Sequence, residues 1–349
     1  MLVLLLKPVG NVGKAGTPLL QESAPPTLHE TGLYVSTDTL KVDPAHLGFA
    51  PQYPLWTDGA TKRRWISLPP GDLIDASDAD AWEFPIGTRF WKEFSFDGRP
   101  VETRYMERRR SDRTWLFATY AWDAHGRSAV LVGGRGIHRA YGFGDGTAHA
   151  IPAIADCGAC HLSGRSPVLG FSALQLSDDR DPNALHVEPS PSPDLTLSAL
   201  VERGLVSGLD ATLVLAPPRT STASATQRTA LGYLHGNCGH CHNPYGPLSR
   251  LGLYLRQSAD PGRSAALSTT FRMPLVRAPA GILPGTDFRI APGDPHLSAI
   301  PQRMAARATA LQMPPIGTAR VDAEAVDLIN RWITEARIPH ASDQQNVSN

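Results

Sequence analysis

The chain has 349 residues, 33 basic and 33 acidic, and its formal net charge is zero. That length exceeds the ~100–200 residues of one typical domain, and the 42% hydrophobic content excludes a disordered chain. Balanced charge in both halves offers no basic face for nucleic acid or an anionic membrane, while 31 glycines and 31 prolines call for many turns rather than a helical bundle.

Met1 to Leu6 is apolar, but Lys7, Pro8 and Gly10 interrupt the run. It is too short for the ~20 residues of a membrane span and lacks the basic start of a secretory signal. Residues 1–30 are expected to be a leader or disordered segment, with the apolar opening as the remnant of an export signal.

Residues 31–148 read as an antiparallel, sandwich-like β-rich domain. Trp65 to Leu68 ends at Pro69-Pro70-Gly71, Arg89 to Phe96 and Val101 to Met106 flank the Asp97-Gly98 turn, and Thr114 to Trp122 with Ser128 to Gly133 straddles Asp123-Ala124-His125-Gly126. Six of the seven tryptophans fall here (Trp56, Trp65, Trp82, Trp91, Trp115, Trp122), which predicts an aromatic core rather than a ligand platform. The triplets Lys62-Arg63-Arg64 and Arg108-Arg109-Arg110 are expected on solvated strand edges.

A proline- and serine-rich loop, Pro182 to Asp194, separates two segments that each hold a cysteine pair. Beyond it, Ser224 to Gln227 forms a capping box ahead of a helix from Ala225 to Gly236. A second helix, Ala323 to Ala336, shows an apolar stripe through Ala325, Val326, Leu328, Ile329, Trp332 and Ile333, with acidic residues at its start. Residues 341–349 are a polar tail.

All four cysteines lie in two copies of one pattern, Cys157-Gly158-Ala159-Cys160-His161 and Cys238-Gly239-His240-Cys241-His242. C-x-x-C-H is the c-type haem attachment sequence. Two thiols add across the two vinyl groups of a porphyrin, and the adjacent histidine brings an imidazole to the iron. Other readings remain. Four thiols could form one structural zinc site, although the 77 residues between Cys160 and Cys238 far exceed common zinc modules. A thioredoxin-like redox pair would need one C-x-x-C beside a βαβ unit, and C-x-x-C disulfides close loops too short to stabilise much.

A histidine-bound iron commonly takes a methionine on its other face. Met313, in Met313-Pro314-Pro315-Ile316-Gly317, is the best placed, since the prolines hold it out of a helix; a core methionine is the alternative. For the first motif the sixth ligand stays open among Met273, His149, His186, His235 or none.

On these residues, 222–340 resembles a class I cytochrome c domain, with one helix leading into C-x-x-C-H and a last helix crossing it. The resemblance implies a close crossing at Gly232-Tyr233 against Trp332, and Pro292-Gly293-Asp294-Pro295-His296-Leu297-Ser298 is also similar to bacterial cytochrome domains. More widely, Tyr53-Pro54-Leu55-Trp56-Thr57-Asp58-Gly59-Ala60, Lys62, Arg64-Trp65, Trp82 to Thr88 and Val101-Glu102-Thr103-Arg104 are similar to a bacterial family of dihaem c-type cytochromes with a β-rich N-terminal region.

The expectation is thus an α+β multidomain chain. A β-rich domain precedes a first haem-binding segment (149–221) and a mostly α-helical cytochrome region (222–340). Two c-type haems are held by Cys157, Cys160, His161, Cys238, Cys241, His242 and Met313, and His161, His242 and Met313 contact iron. The implied activity is one-electron transfer with a redox partner protein, in the periplasm or otherwise exported, with no integral membrane segment. A dihaem peroxidase with an open first iron and a zinc-stabilised binding protein are the alternatives.

Overall fold

The computed structural model describes residues 24–36, 39–110, 114–189, 195–220, 222 and 224–336. The apolar opening, the polar tail and residues 190–194 of the proline-rich loop lie outside them. In chain order the elements are β1 (Leu47–Gly48), β2 (Thr61–Ser67), β3 (Ile74–Asp75), β4 (Arg89–Phe96), β5 (Arg99–Arg108), β6 (Trp115–Trp122), β7 (Ala129–Leu131), β8 (Ile137–Gly142), β9 (Ala148–Ile151), α1 (Ile154–His161), α2 (Leu197–Glu202), β10 (Val206–Ser207), α3 (Thr212–Leu215), α4 (Ala225–Asn237), α5 (Ala266–Thr270), α6 (Ala299–Ala305) and α7 (Ala323–Glu335).

The N-terminal region is β-rich and antiparallel. One six-stranded sheet runs in the order β1-β2-β4-β5-β6-β7, and two two-stranded ribbons, β8 with β9 and β10 with β3, accompany it. The β4–β5 hairpin turns at Asp97-Gly98, where Phe96 faces Arg99. Among the described residues no second sheet of similar size closes the sandwich. Instead, residues 24–34 cover one face, where Ala24, Leu28 and Leu33 pack on Trp65, Trp91, Tyr105 and Tyr120. Phe171, Leu176, Leu195, Leu197 and Leu200 cover the other, against Ile66, Phe90, Met106 and Phe117. The sheet is buried on both faces, so its strands read as dense aromatic runs rather than a clean alternation. Residues 24–30, grouped by sequence with a leader, lie against this sheet: Leu28 N–H donates to Ala129 at 3.0 Å and the Tyr120 hydroxyl to Pro25 at 2.9 Å.

Lys62 and Arg64 correct the expectation of a solvated edge. They are 2% and 6% exposed, because β2 is an inner strand between β1 and β4.

The C-terminal region carries a few helices joined by long irregular segments rich in proline and glycine. Two of them begin at side-chain caps, the first of them the cap expected from sequence: Ser224 Oγ accepts from Gln227 N–H at 3.2 Å, and Asp322, one of the acidic residues at the start of the last helix, accepts through Oδ1 from Ala325 N–H at 3.2 Å. Helices α4 and α7 pack through Leu231, Leu234, Leu328, Ile329 and Trp332, and Phe271 meets the Trp332 ring edge-on at 5.1 Å. Gly232 does not serve that crossing. A Cβ there would lie 2.0 Å from the Tyr53 ring, and one at Gly236 would lie 2.3 Å from the Tyr53 carbonyl oxygen. The glycines of α4 therefore admit the Tyr53-Pro54-Leu55-Trp56 segment. Asn237 at the end of α4 fixes it, its Oδ1 accepting from Trp56 N–H at 2.7 Å and its Nδ2 donating to Pro54 at 3.2 Å. Among the described residues no helix is long and apolar enough to cross a membrane.

Candidate functional site

The first cysteine motif lies on α1, which follows the ribbon strand β9 and sits against β6 of the sheet, where the His161 ring meets Phe117 at 5.1 Å. The second starts at the C-cap of α4: Cys238 N–H donates to Leu234, and His242 N–H closes back on Cys238 at 2.8 Å. Although 77 residues separate Cys160 from Cys238, the fold brings the two motifs together. One ligand-capable atom each from Cys160, His240 and Cys241 lies within 4.8 Å of the others. Asn243, fully buried, joins the motifs: its Nδ2 donates to Ser163 at 3.0 Å, Gly239 at 3.2 Å and His240 at 2.9 Å, and its Oδ1 accepts from Tyr245 and Gly246 N–H.

Cys157, Cys160 and His161 line a cavity with an empty volume of about 1710 Å³, its open mouth included, while Cys157 also packs against the core beneath the sheet. The sheet forms one wall through Arg64, Lys92, Arg104, Met106 and Phe117. His235, Gly239 and His240 form another, and Pro314 with Ile316 to Thr318 lies at the rim.

Two of the three histidines on this cavity, His161 and His235, differ in what their rings can do. His161 Nδ1 is 2.6 Å from the Pro167 carbonyl. A carbonyl only accepts, so Nδ1 carries the proton and Nε2 keeps a lone pair for a metal. Burial holds this imidazole neutral, down to about 4, despite the Pro167 contact. His235 Nδ1 instead accepts from Gln257 N–H at 2.9 Å. Its neutral ring must then carry the proton on Nε2, which leaves no lone pair for iron.

The other candidates for a sixth ligand are engaged elsewhere. His149 Nδ1 pairs with Asp58 at 3.0 Å and its Nε2 with Glu102 at 3.1 Å, all three side chains being buried. His186 Nε2 meets Asp322 at 2.8 Å. Met273 is not on the cavity wall, and neither is Met313, whose N–H donates to Arg303 at 3.0 Å while the residues after it form the rim.

At the second motif the His242 Nδ1 is buried without a hydrogen-bond partner, and burial holds the ring down to about 4. Cys238 packs against the helical core, where burial pushes its thiol up to about 12. The contact between Cys160 and Cys241 raises the Cys160 thiol to about 12 and holds Cys241 below its ordinary value. No disulfide forms among the four cysteines.

The residues present fit a covalently held haem at the first motif: two thiols and an imidazole with a free Nε2 share one open cavity. At the second, the His242 Nδ1 has no partner, Cys241 touches the first motif and Cys238 packs against the helical core. Sequence reasoning missed the supporting residues Lys92, Pro167, Asn237 and Asn243, and quoted Asp58 and Glu102 only within segments of resemblance, without a role. Only Asn243 carried a local signal, standing directly after the second motif.

No protein-family model, no curated protein and no solved structure matches the chain.

Proposed function

We propose that the chain is a dihaem c-type cytochrome of the bacterial family it resembles, exported to the periplasm, that passes single electrons to or from a redox partner protein. The observation that carries this reading is His161: its Nδ1 is fixed by Pro167, and its Nε2 is left for a metal beside a cavity that both thiols of its motif line. Two c-type haems, held through Cys157, Cys160 and His161 and through Cys238, Cys241 and His242, would supply one-electron redox chemistry.

The chain's own part is to hold and shield. Pro167 orients His161, Asn243 locks the two motifs against each other, and the sheet closes one side of the first cavity against water. Residues 222–340 serve as a class I cytochrome c-like domain in this reading, and Met313, carried by the segment between α6 and α7, is the distal ligand of the second haem.

A second reading has a specific observation in its favour. Cys160, His240 and Cys241 offer three of the four ligands of a tetrahedral zinc site, as in a zinc-stabilised binding protein. It leaves Cys157, Cys238, His161 and His242 without a role. A pyridine haemochrome assay with metal analysis separates the two: the cytochrome reading requires two haems per chain, and no haem with one zinc establishes the other. Spin state then separates simple electron transfer from a peroxidase, because a high-spin first haem that reacts with peroxide marks an open iron.

A further inference from the structure

Strands β2, β4 and β5 place Arg64 opposite Lys92, and Lys92 opposite Arg104. The adjacent row on the same face is apolar, Ile66-Phe90-Met106-Phe117, and Phe117 meets the His161 ring at 5.1 Å between centroids. Three cations thus stand side by side next to the first motif, and all three line its cavity, with Arg256 on the far side. Asp156 is the one carboxylate on that lining.

Like charges directly opposite each other in a sheet repel, and a buried cation without a counter-ion is costly. The outer two are compensated. Arg64 pairs with buried Glu188, and Arg104 makes a two-pronged contact with buried Glu102 at 3.1 and 2.7 Å. Lys92, in the middle, has no carboxylate partner among the described residues; its ammonium lies over the Phe94 ring at 4.8 Å. Burial, followed by repulsion from Arg64, Lys62 and Arg104, holds that ammonium well below the ordinary lysine range. The row therefore holds one basic side chain more than its own acids pair, on the cavity lining, where an incoming carboxylate would hold it protonated.

We propose that the Arg64–Lys92–Arg104 row is a carboxylate-binding wall that takes the propionate groups of the haem held at Cys157 and Cys160. This rests on the dihaem reading. It gives the β-rich region a part in cofactor binding, because the sheet supplies the counter-charge that lets an anionic macrocycle lie in a largely apolar cavity.

The test compares the full-length holoprotein with Lys92→Met, which keeps the length and removes the charge, and Lys92→Arg, which keeps the charge. Haem count, reduction potentials by spectroelectrochemistry and the resonance Raman propionate bending bands are recorded for each. The expected result is two haems in all three proteins. In Lys92→Met one potential becomes more negative, because a cation that disfavoured the ferric state is gone, and one propionate band shifts. Lys92→Arg stays close to wild type.

Two haems with unchanged potentials and bands in Lys92→Met overturn the wall and leave the dihaem reading standing. No haem in the wild-type protein overturns that reading and this one with it. Acetate is the probe for a free carboxylate: a saturable shift of the wild-type potential with acetate, at fixed propionate bands, means the row binds an external anion and overturns the proposal. Should Lys92→Met fail to accumulate, wild-type protein still decides. One haem's propionate band must be insensitive to ionic strength, and a salt-dependent pair at both haems contradicts the wall.

Discussion

The Asn243 side-chain amide donates to the Ser163 carbonyl at 3.0 Å, which ties the residue after the second motif to a residue just beyond the first. Asn243 is fully buried and uses its oxygen as well, so it is a satisfied polar group that specifies one arrangement of the two motifs. Replacement by alanine leaves buried carbonyls and N–H groups unpaired. The expected cost is about 2–4 kcal/mol, at ~1–3 kcal/mol per stranded group with partial relaxation. Denaturant unfolding of the holoprotein measures it, and a loss below ~0.5 kcal/mol contradicts the role.

Gly236→Ala tests the docking of the Tyr53 segment on α4. The new methyl meets the Tyr53 carbonyl, which cannot swing away as a side chain can. An overpacking cost of about 1–3 kcal/mol is expected. At Gly232 the obstacle is the Tyr53 ring. Tyr53→Ala should therefore offset much of the penalty of Gly232→Ala and little of that of Gly236→Ala. Equal offsets in the two double-mutant cycles would contradict this packing.

His149 sets a pH dependence whose sign follows from its surroundings. Burial alone would lower its pKa, but the hydrogen bonds to Asp58 and Glu102 outweigh burial and raise it above the ordinary value of 6.5. A raised imidazole contributes stability fully below about 6.5 and loses that contribution as pH climbs through the higher native value. Glu102 is held down to about 2: burial opposes this, and Arg104 and His149 overcome it. Its contribution is present above the ordinary 4.5 and is lost only in strong acid. The difference in denaturation midpoint between wild type and His149→Gln should shrink between neutral and alkaline pH. A difference that stays constant rules out a stabilising charge on this imidazole.

Asp58 connects this triad to the cavity rim, because its other oxygen accepts from Ala319 and Arg320 N–H at 2.7 and 3.0 Å. Those residues follow the Met313 segment. Met313→Ala should lower one reduction potential and abolish the sulfur-to-iron absorption band, with the other haem unchanged. An unaltered spectrum assigns Met313 to packing alone.

Sequence showed the hairpins and the capped helices because their determinants are local: Asp97-Gly98 for a turn, Ser224 and Asp322 for helix starts, the 3.6-residue stripe through Ile329 and Trp332 for a buried face. Both C-x-x-C-H motifs were equally plain. What remained hidden depends on partners far along the chain. Lys62 and Arg64 look like edge residues until β1 and β4 enclose β2. Gly232 looks like a helix-crossing glycine until Tyr53, far upstream, fills the space above it. The pairing of Cys160 with Cys241 needs the tertiary fold, and so does the contrast between His161 and His235, which turns on a carbonyl in one case and an N–H in the other.

The most direct measurement is the intact mass of the purified, denatured full-length chain. Thioether tethers survive unfolding, so the central claim predicts the polypeptide mass plus two haems, falling to one haem in a Cys157→Ser, Cys160→Ser double variant. A polypeptide mass with no added haem in the wild-type protein, isolated from cells that mature c-type cytochromes, contradicts it.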